Sequence, residues 1–178
     1  DAELPGQAWE LLDLKKYRAH NWHLWTAKKT QGGPPGYLGG YASVQTSLGC
    51  PFKCTFCCIN APFGGAGIRY WSPENVVRQI GDLVDIHHIT NIKIPDEMFT
   101  LSPARVKDIC RRLIEPGYGK QLNMWAYARI DTVKDEEMLS LMRRAGFRWL
   151  GIGIESGSAH VRDGVEKGRF DDADIRRA

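Results

Sequence analysis

The sequence predicts an α/β domain built on a parallel sheet, because short apolar segments alternate four times with segments of helical pattern. Ser72 and Ser102 are each followed by a proline, which is a typical start of a helix. Gly146 follows the third helical segment and is a typical helix end. Strands and helices that alternate in this way form parallel sheets with right-handed crossovers. We therefore expect four βα units in series.

The first two units contain the clearest helix of the chain. We predict a strand over residues 43–47, which leads into a cysteine-rich loop, and a helix over residues 73–88. One side of that helix is apolar and comprises Val76, Val77, Ile80, Leu83 and Val84. The second strand is centred on residues 92–94, and the second helix covers residues 103–114.

The third and fourth units complete the predicted sheet. Residues 123–130 form the third strand and residues 134–145 the helix after it, while residues 149–154 form the fourth strand. Residues 169–178 read as the start of a further helix that stops in mid-course. A closed eight-unit barrel takes about 250 residues, so these four units leave a sheet that is open at its later edge. We therefore expect the chain to be part of a longer protein.

The composition is that of a globular protein. Of 178 residues, 43% are hydrophobic and 25% are charged, and the net charge is +3. Lysine and arginine are scattered, so nothing indicates a nucleic-acid partner. No apolar run reaches the roughly 18 residues of a membrane span, and the first ten residues lack the features of a signal peptide. We expect a cytoplasmic protein.

The domain organisation is expected to be simple. Residues 1–41 form a lead-in segment, and residues 42–178 form the core domain. His20 and His23 have a spacing that can bind a metal on a helix, but no third ligand is nearby. We therefore interpret these two histidines as polar tips on a packed arm.

Three cysteines dominate the chemistry that the sequence indicates. Cys50, Cys54 and Cys57 have C-x3-C-x2-C spacing on a loop that Gly49 and Pro51 make compact. Three thiolates so close in sequence can converge on one small inorganic centre. On a four-iron cluster they leave one iron open to a substrate. A structural zinc site instead needs four protein ligands, usually two separated pairs, and no second pair is present.

The two other cysteines keep alternative interpretations open. Cys58 is the natural fourth ligand of a zinc module or of an electron-transferring iron–sulfur protein, but neighbouring side chains on an extended loop point to opposite sides. Cys110 lies among apolar residues of a predicted helix and is interpreted as core. An odd number of cysteines fits metal binding in a reducing compartment better than a set of disulfides.

The cysteine spacing, with Phe56 directly before the third cysteine, resembles the signature of the radical S-adenosylmethionine (SAM) superfamily. The resemblance implies a partial parallel (β/α) barrel of six units and a 4Fe-4S cluster held by Cys50, Cys54 and Cys57. It further implies that the open iron chelates SAM, whose reductive cleavage gives a 5'-deoxyadenosyl radical. The implied partners are a small-molecule substrate and a reducing electron donor such as flavodoxin or ferredoxin.

The same resemblance assigns SAM contacts to polar residues at the strand ends and to Phe56. Asp96 or Glu97 corresponds to the acidic position that receives the SAM ammonium group; the alternative is a carboxylate that caps a turn. Arg129 is placed to pair with the SAM carboxylate, or else forms a salt bridge to the nearby Asp131.

The fourth strand ends in a segment that resembles the ribose-binding position of the family. Glu155 supplies the carboxylate there, and it can accept hydrogen bonds from both ribose hydroxyls. Gly151, Gly153 and Gly157 allow the backbone to approach a ligand closely.

Longer segments point to one branch of the superfamily. Three segments resemble the cobalamin-dependent branch, in which a cobalamin-binding domain precedes the barrel: the lead-in PGQAWELLDLKKYRAHNWH, then RYWSPENVV and DEMF. That branch implies a methyltransferase or a cyclase; a radical SAM methylthiotransferase without cobalamin is the alternative. No D-x-H-x-x-G cobalamin signature is present, so such a domain would lie before Asp1. Residues 1–178 alone are therefore expected to be a poor catalyst.

Overall fold

The computed structural model describes residues 6–19, 39–167 and 170–178. The strands within these ranges are β1 (Tyr41–Ser43), β2 (Ser47–Leu48), β3 (Arg69–Tyr70), β4 (Asn91–Lys93), β5 (Asn123–Arg129) and β6 (Phe147–Gly153). The α-helices are α1 (Pro73–Asp85), α2 (Pro103–Ile114), α3 (Glu136–Ala145), α4 (Ala159–Gly164) and α5 (Asp172–Arg177).

Four strands form one parallel sheet in the order β1-β4-β5-β6. Strands β2 and β3 form a separate antiparallel pair. The predicted α/β fold with a parallel four-stranded sheet is confirmed, and the described residues do not close a barrel. Because parallel strands end at the same edge, the segments that follow β1, β4, β5 and β6 meet at one rim.

The two faces of the sheet have different surroundings. On one face, Ala42, Ile92, Met124 and Ala126 pack with the apolar sides of the helices in a single core. The opposite face, here called the inner face, carries the alternate residues of the strands. These include Ser43, Lys93, Trp125, Tyr127, Arg129, Trp149, Gly151 and Gly153.

The first predicted strand is displaced. The parallel strand ends at Ser43 rather than at Ser47, and Ser47 instead begins the hairpin with β3. This hairpin has no periodic signal in the sequence, because two-residue strands are too short to show alternation. The change of direction matters for function, since the hairpin carries the chain into the cysteine loop.

The helix limits follow from their caps. Ser72 accepts a hydrogen bond from the Asn75 backbone at 3.2 Å, as predicted for the start of α1. Helix α3 begins two residues later than predicted, because Asp135 is its N-cap and accepts from the Met138 backbone at 2.8 Å. Helix α1 ends at Asp85 rather than at residue 88, and strand β6 begins two residues earlier than predicted.

Residues 6–19, the described part of the predicted lead-in, pack on the sheet and its helices. Trp9 and Leu14 belong to the same core cluster as the sheet, and the Gln7 backbone donates to Gln79 Oε1 at 3.1 Å. An antiparallel bridge joins Arg18 to Gly40 beside β1. His20 and His23 lie outside the described residues. No helix in the described part of the chain combines the length and apolar character that crossing a membrane requires.

Candidate functional site

A cavity of about 300 Å³ lies at the rim where the parallel strands end. All three cysteines of the C-x3-C-x2-C loop line it. Four of the five residues predicted to contact SAM line it as well: Phe56, Glu97, Arg129 and Glu155. The cavity is therefore shared by four parts of the chain: the cysteine loop, the segment after β4, strand β5 and the segment after β6.

Backbone contacts fix the start of the cysteine loop. Gly49 has a φ of 84°, and a Cβ there would come within 2.5 Å of the Gly67 carbonyl oxygen, so only glycine fits. Asn60 accepts from the Cys50 backbone at 3.3 Å and donates to the Phe52 carbonyl at 2.9 Å. These contacts hold the first cysteine in place, and Cys50 is buried.

The three thiols are close enough to influence one another. Burial raises the pKa of the Cys50 thiol above its usual value, and the charges of Cys57 and Cys54 raise it further. The Arg129 guanidinium opposes this increase, and its Nη1 lies 3.8 Å from Cys54 Sγ. At Cys50, the positive charge of Arg129 favours the thiolate, which is the form of cysteine that binds metal.

The donor set fits a 4Fe-4S cluster. Three thiols line the cavity, and each can bind a different iron atom of such a cluster. Cys58 is exposed and absent from the cavity wall, while Cys110 is buried inside α2 with its pKa raised to about 12. Within the described residues, no group of three or more histidine, cysteine, aspartate or glutamate side chains is arranged around a single metal ion.

Asp96 does not reach the cavity. Its side chain is 0% exposed. Oδ1 accepts from the Thr46 backbone at 2.8 Å, and Oδ2 accepts from Thr46 Oγ1 at 2.5 Å and from Ser47 Oγ at 2.6 Å. Burial raises the pKa of the Asp96 carboxyl, while these hydrogen bonds oppose the increase. Asp96 therefore connects the end of β4 to the segment before the cysteine loop through hydrogen bonds, and it is not the acid that faces the cavity.

We expect Asp96→Ala to destabilise the protein and to reduce its iron content. The substitution leaves three buried donors of Thr46 and Ser47 without acceptors, at a cost of about 3 kcal/mol. Asp96→Asn should be much milder, because its oxygen can accept from the Thr46 backbone and its amide can donate to both hydroxyl oxygens. Denaturant midpoints and iron per chain measure the effects.

The control for this prediction is Asp108→Ala, which removes an exposed carboxylate paired with Arg112. Such a surface pair contributes about 0–1 kcal/mol. If Asp96→Ala and Asp108→Ala lowered the unfolding free energy equally, the proposed tether would be wrong.

Glu97 is the acid that faces the cavity. It is half-buried and lies directly after Asp96. Burial raises the pKa of the Glu97 carboxyl, and the neighbouring Asp96 adds to the increase. Burial disfavours the ionised form of this carboxyl, and a cationic partner would stabilise that form.

Arg129 is already extensively bonded. Its side chain forms two parallel hydrogen bonds to Asp131, both 2.9 Å long, and donates to the Lys167 carbonyl oxygen. The guanidinium also lies 3.7 Å from the centre of the Phe52 ring. The alternative salt bridge to Asp131 is therefore formed, and Arg129 joins β5 to the cysteine loop while lining the cavity.

Glu155 adopts an uncommon backbone conformation. Its φ is 67°, which costs a residue with a side chain about 1–2 kcal/mol. Glycine would avoid this cost, so a glutamate here suggests a use for the carboxylate. The conformation places the side chain at the cavity, where Oε1 lies 2.8 Å from the Lys167 ammonium.

Lys167 is the cavity residue that the sequence prediction missed. It is 8% exposed, lies 6.0 Å from the centre of the Phe56 ring and pairs with Glu155. Its position after a short helix gave no strand-end signal, since α4 brings it back to the rim. The available signal was a lysine followed by a glycine in the sequence, close behind the predicted ligand Glu155.

Comparisons with known proteins identify a family and several relatives of this chain. The Radical SAM superfamily model matches residues 44–174. An uncharacterized methyltransferase of Pyrococcus horikoshii is 31% identical over 93% of this chain and 32% of its own length. An anaerobic magnesium-protoporphyrin IX monomethyl ester cyclase of Synechocystis is 26% identical over 94% of this chain and 30% of its own length.

A solved structure is similar as well. The cobalamin-dependent SAM radical enzyme OxsB, with aqua-cobalamin and SAM bound, superposes with a TM-score of 0.62 at 26% identity. The match covers 76% of this chain and 21% of OxsB, and the chain spans about a third of the length of the curated relatives named above. Because the family model covers most of the chain, this protein belongs to the radical SAM superfamily of enzymes.

Proposed function

We propose that the rim cavity binds SAM against a 4Fe-4S cluster held by Cys50, Cys54 and Cys57, and that the whole protein is a cobalamin-dependent methyltransferase. The family implies the cluster and SAM. The observation that carries the proposal is the convergence of these thiols with Glu97, Glu155 and two cations on one cavity. When bound and reduced, a cluster of this type supplies the electron that cleaves the SAM sulfonium.

The charges around the cavity match the polar groups of SAM. Glu97 is the proposed acceptor for the ammonium group, and Glu155 the proposed acceptor for the ribose hydroxyls. For the carboxylate we favour Lys167 over Arg129, because the Arg129 guanidinium already serves Asp131 and a backbone carbonyl. Among the described residues, the ammonium of Lys167 has one carboxylate partner, Glu155. Phe56 is half exposed beside this pair, and we assign it to the apolar part of SAM.

The proposed contacts predict a loss of SAM affinity when either member of the pair changes. Lys167→Met should weaken binding at least about tenfold, since a charge-assisted hydrogen bond in a half-closed site contributes roughly 1.5–3 kcal/mol. Glu155→Gln should weaken it less, because the amide oxygen still accepts one hydrogen bond. Anaerobic calorimetry on reconstituted protein measures both affinities.

The matched control is Lys120→Met, which removes the same charge from an exposed position outside the cavity wall. Iron content should be unchanged in all three variants. Unchanged SAM affinity in both Lys167→Met and Glu155→Gln would show that SAM does not bind at this rim.

The reaction outcome and the partners belong to the same proposal. We favour methyl transfer because the relative from Pyrococcus horikoshii is named a methyltransferase and OxsB is cobalamin-dependent. The cyclase similarity supports ring closure as the second candidate. The proposed electron donor is a flavodoxin or ferredoxin, and the proposed compartment is the reducing cytoplasm, where thiol ligands stay available. A cobalamin-binding domain before residue 1 would supply the second cofactor.

A further inference from the structure

The inner face of the sheet carries a lysine that is held only by aromatic rings in the described part of the chain. Lys93 of β4 is paired in register with Ser43 on one side and Trp125 on the other. Its ammonium lies 4.7 Å from the centre of the Trp125 ring and 5.3 Å from that of Tyr127. Ring faces attract a cation, but they are poor partners for its three N–H donors.

The lysine lies directly below the SAM cavity. Tyr127 and Gly151, which are partners in the β5–β6 register, line the cavity, and the Lys93 ammonium contacts the Tyr127 ring from the next row down. A Cβ on Gly151 would lie 2.9 Å from Tyr127 Cδ1, so the glycine gives this ring its place. The floor below the cavity is therefore aromatic and positively charged.

The aromatic side chains of the floor also pack against one another. Trp125 stacks on Trp149 with ring centres 5.0 Å apart and planes 9° apart, and its edge contact with Tyr127 is 5.2 Å. The Lys93 ammonium lies against two of these rings, those of Trp125 and Tyr127. An ammonium group without an oxygen partner in the described residues is suited to an anionic group of a ligand.

We propose that this floor binds the substrate of the enzyme, and that the substrate is an organic carboxylate with a planar ring. The carboxylate pairs with Lys93, and the ring packs on Tyr127. The inference rests on the proposed function, because SAM at the rim would then lie above the substrate. Lys93 would favour substrates with a negative charge, whereas the aromatic rings would favour substrates with a planar ring.

The test compares an acid with its uncharged analogue. Indole-3-acetate and indole-3-acetamide have the same ring and nearly the same size, and their binding to anaerobic, reconstituted full-length protein can be measured by ligand-observed NMR. We expect the acid to bind at least about tenfold more tightly than the amide. Lys93→Met should abolish this preference, Lys93→Arg should retain it, and Lys120→Met should leave it unchanged.

Each outcome decides the proposal. Equal binding of acid and amide to the unaltered protein would overturn the proposal. That result is expected if a carboxylate from another part of the protein neutralises Lys93. A preference that survives in a Lys93→Met protein of normal iron content would overturn it too. SAM affinity measured on the same samples separates the two ideas: charge preference without SAM binding would contradict the proposed function alone.

Discussion

Alanine at Cys50, Cys54 or Cys57 is expected to abolish cluster binding, and this is the largest effect that the structure predicts. The three thiols line one cavity, and the chain belongs to a family that implies a 4Fe-4S cluster. With only two thiolates left, the cluster has two open irons and should be lost during reconstitution. Iron and sulfide per chain, with the charge-transfer absorption of the brown protein, measure the result.

Cys58→Ala is the sharpest control, because it removes the adjacent thiol on the same loop. Cys58 is exposed and does not line the cavity, so its loss should leave iron and sulfide unchanged. Full iron content in any one of the three ligand variants, or loss of iron only in Cys58→Ala, would overturn the assignment.

Much of the fold was predictable because its signals are local. Ser72 caps α1 and Gly146 ends α3 as their residue types indicate. The helix over residues 103–114 has the predicted limits. The β2–β3 hairpin was missed because two-residue strands show no alternation, and because Asp96, the residue that bonds Thr46 just before β2, is 50 positions away in sequence.

The candidate site was predictable to the extent that it follows strand ends. The cysteines, Glu97, Arg129 and Glu155 reach the cavity from positions that pattern and resemblance identified. The burial of Asp96 and the return of Lys167 to the rim depend on tertiary contacts, which no sequence period records. Likewise, the position of the Lys93 ammonium over the Trp125 ring is visible only in the structure.

The second large effect is on the reductive cleavage of SAM. We expect reconstituted protein, incubated anaerobically with SAM and dithionite, to form 5'-deoxyadenosine and methionine. In the proposed site, the cavity residues would hold SAM, and the three thiols would hold the cluster that supplies the electron. For residues 1–178 alone we expect slow cleavage without a coupled product, because an open sheet does not exclude water from the site.

The most direct measurement of the central claim is therefore the amount of 5'-deoxyadenosine formed per cluster, compared between the unaltered protein and Cys54→Ala. The account predicts accumulation with the former and none above background with the latter. Equal amounts from both proteins, or none from unaltered protein that carries a full cluster and binds SAM, would contradict it.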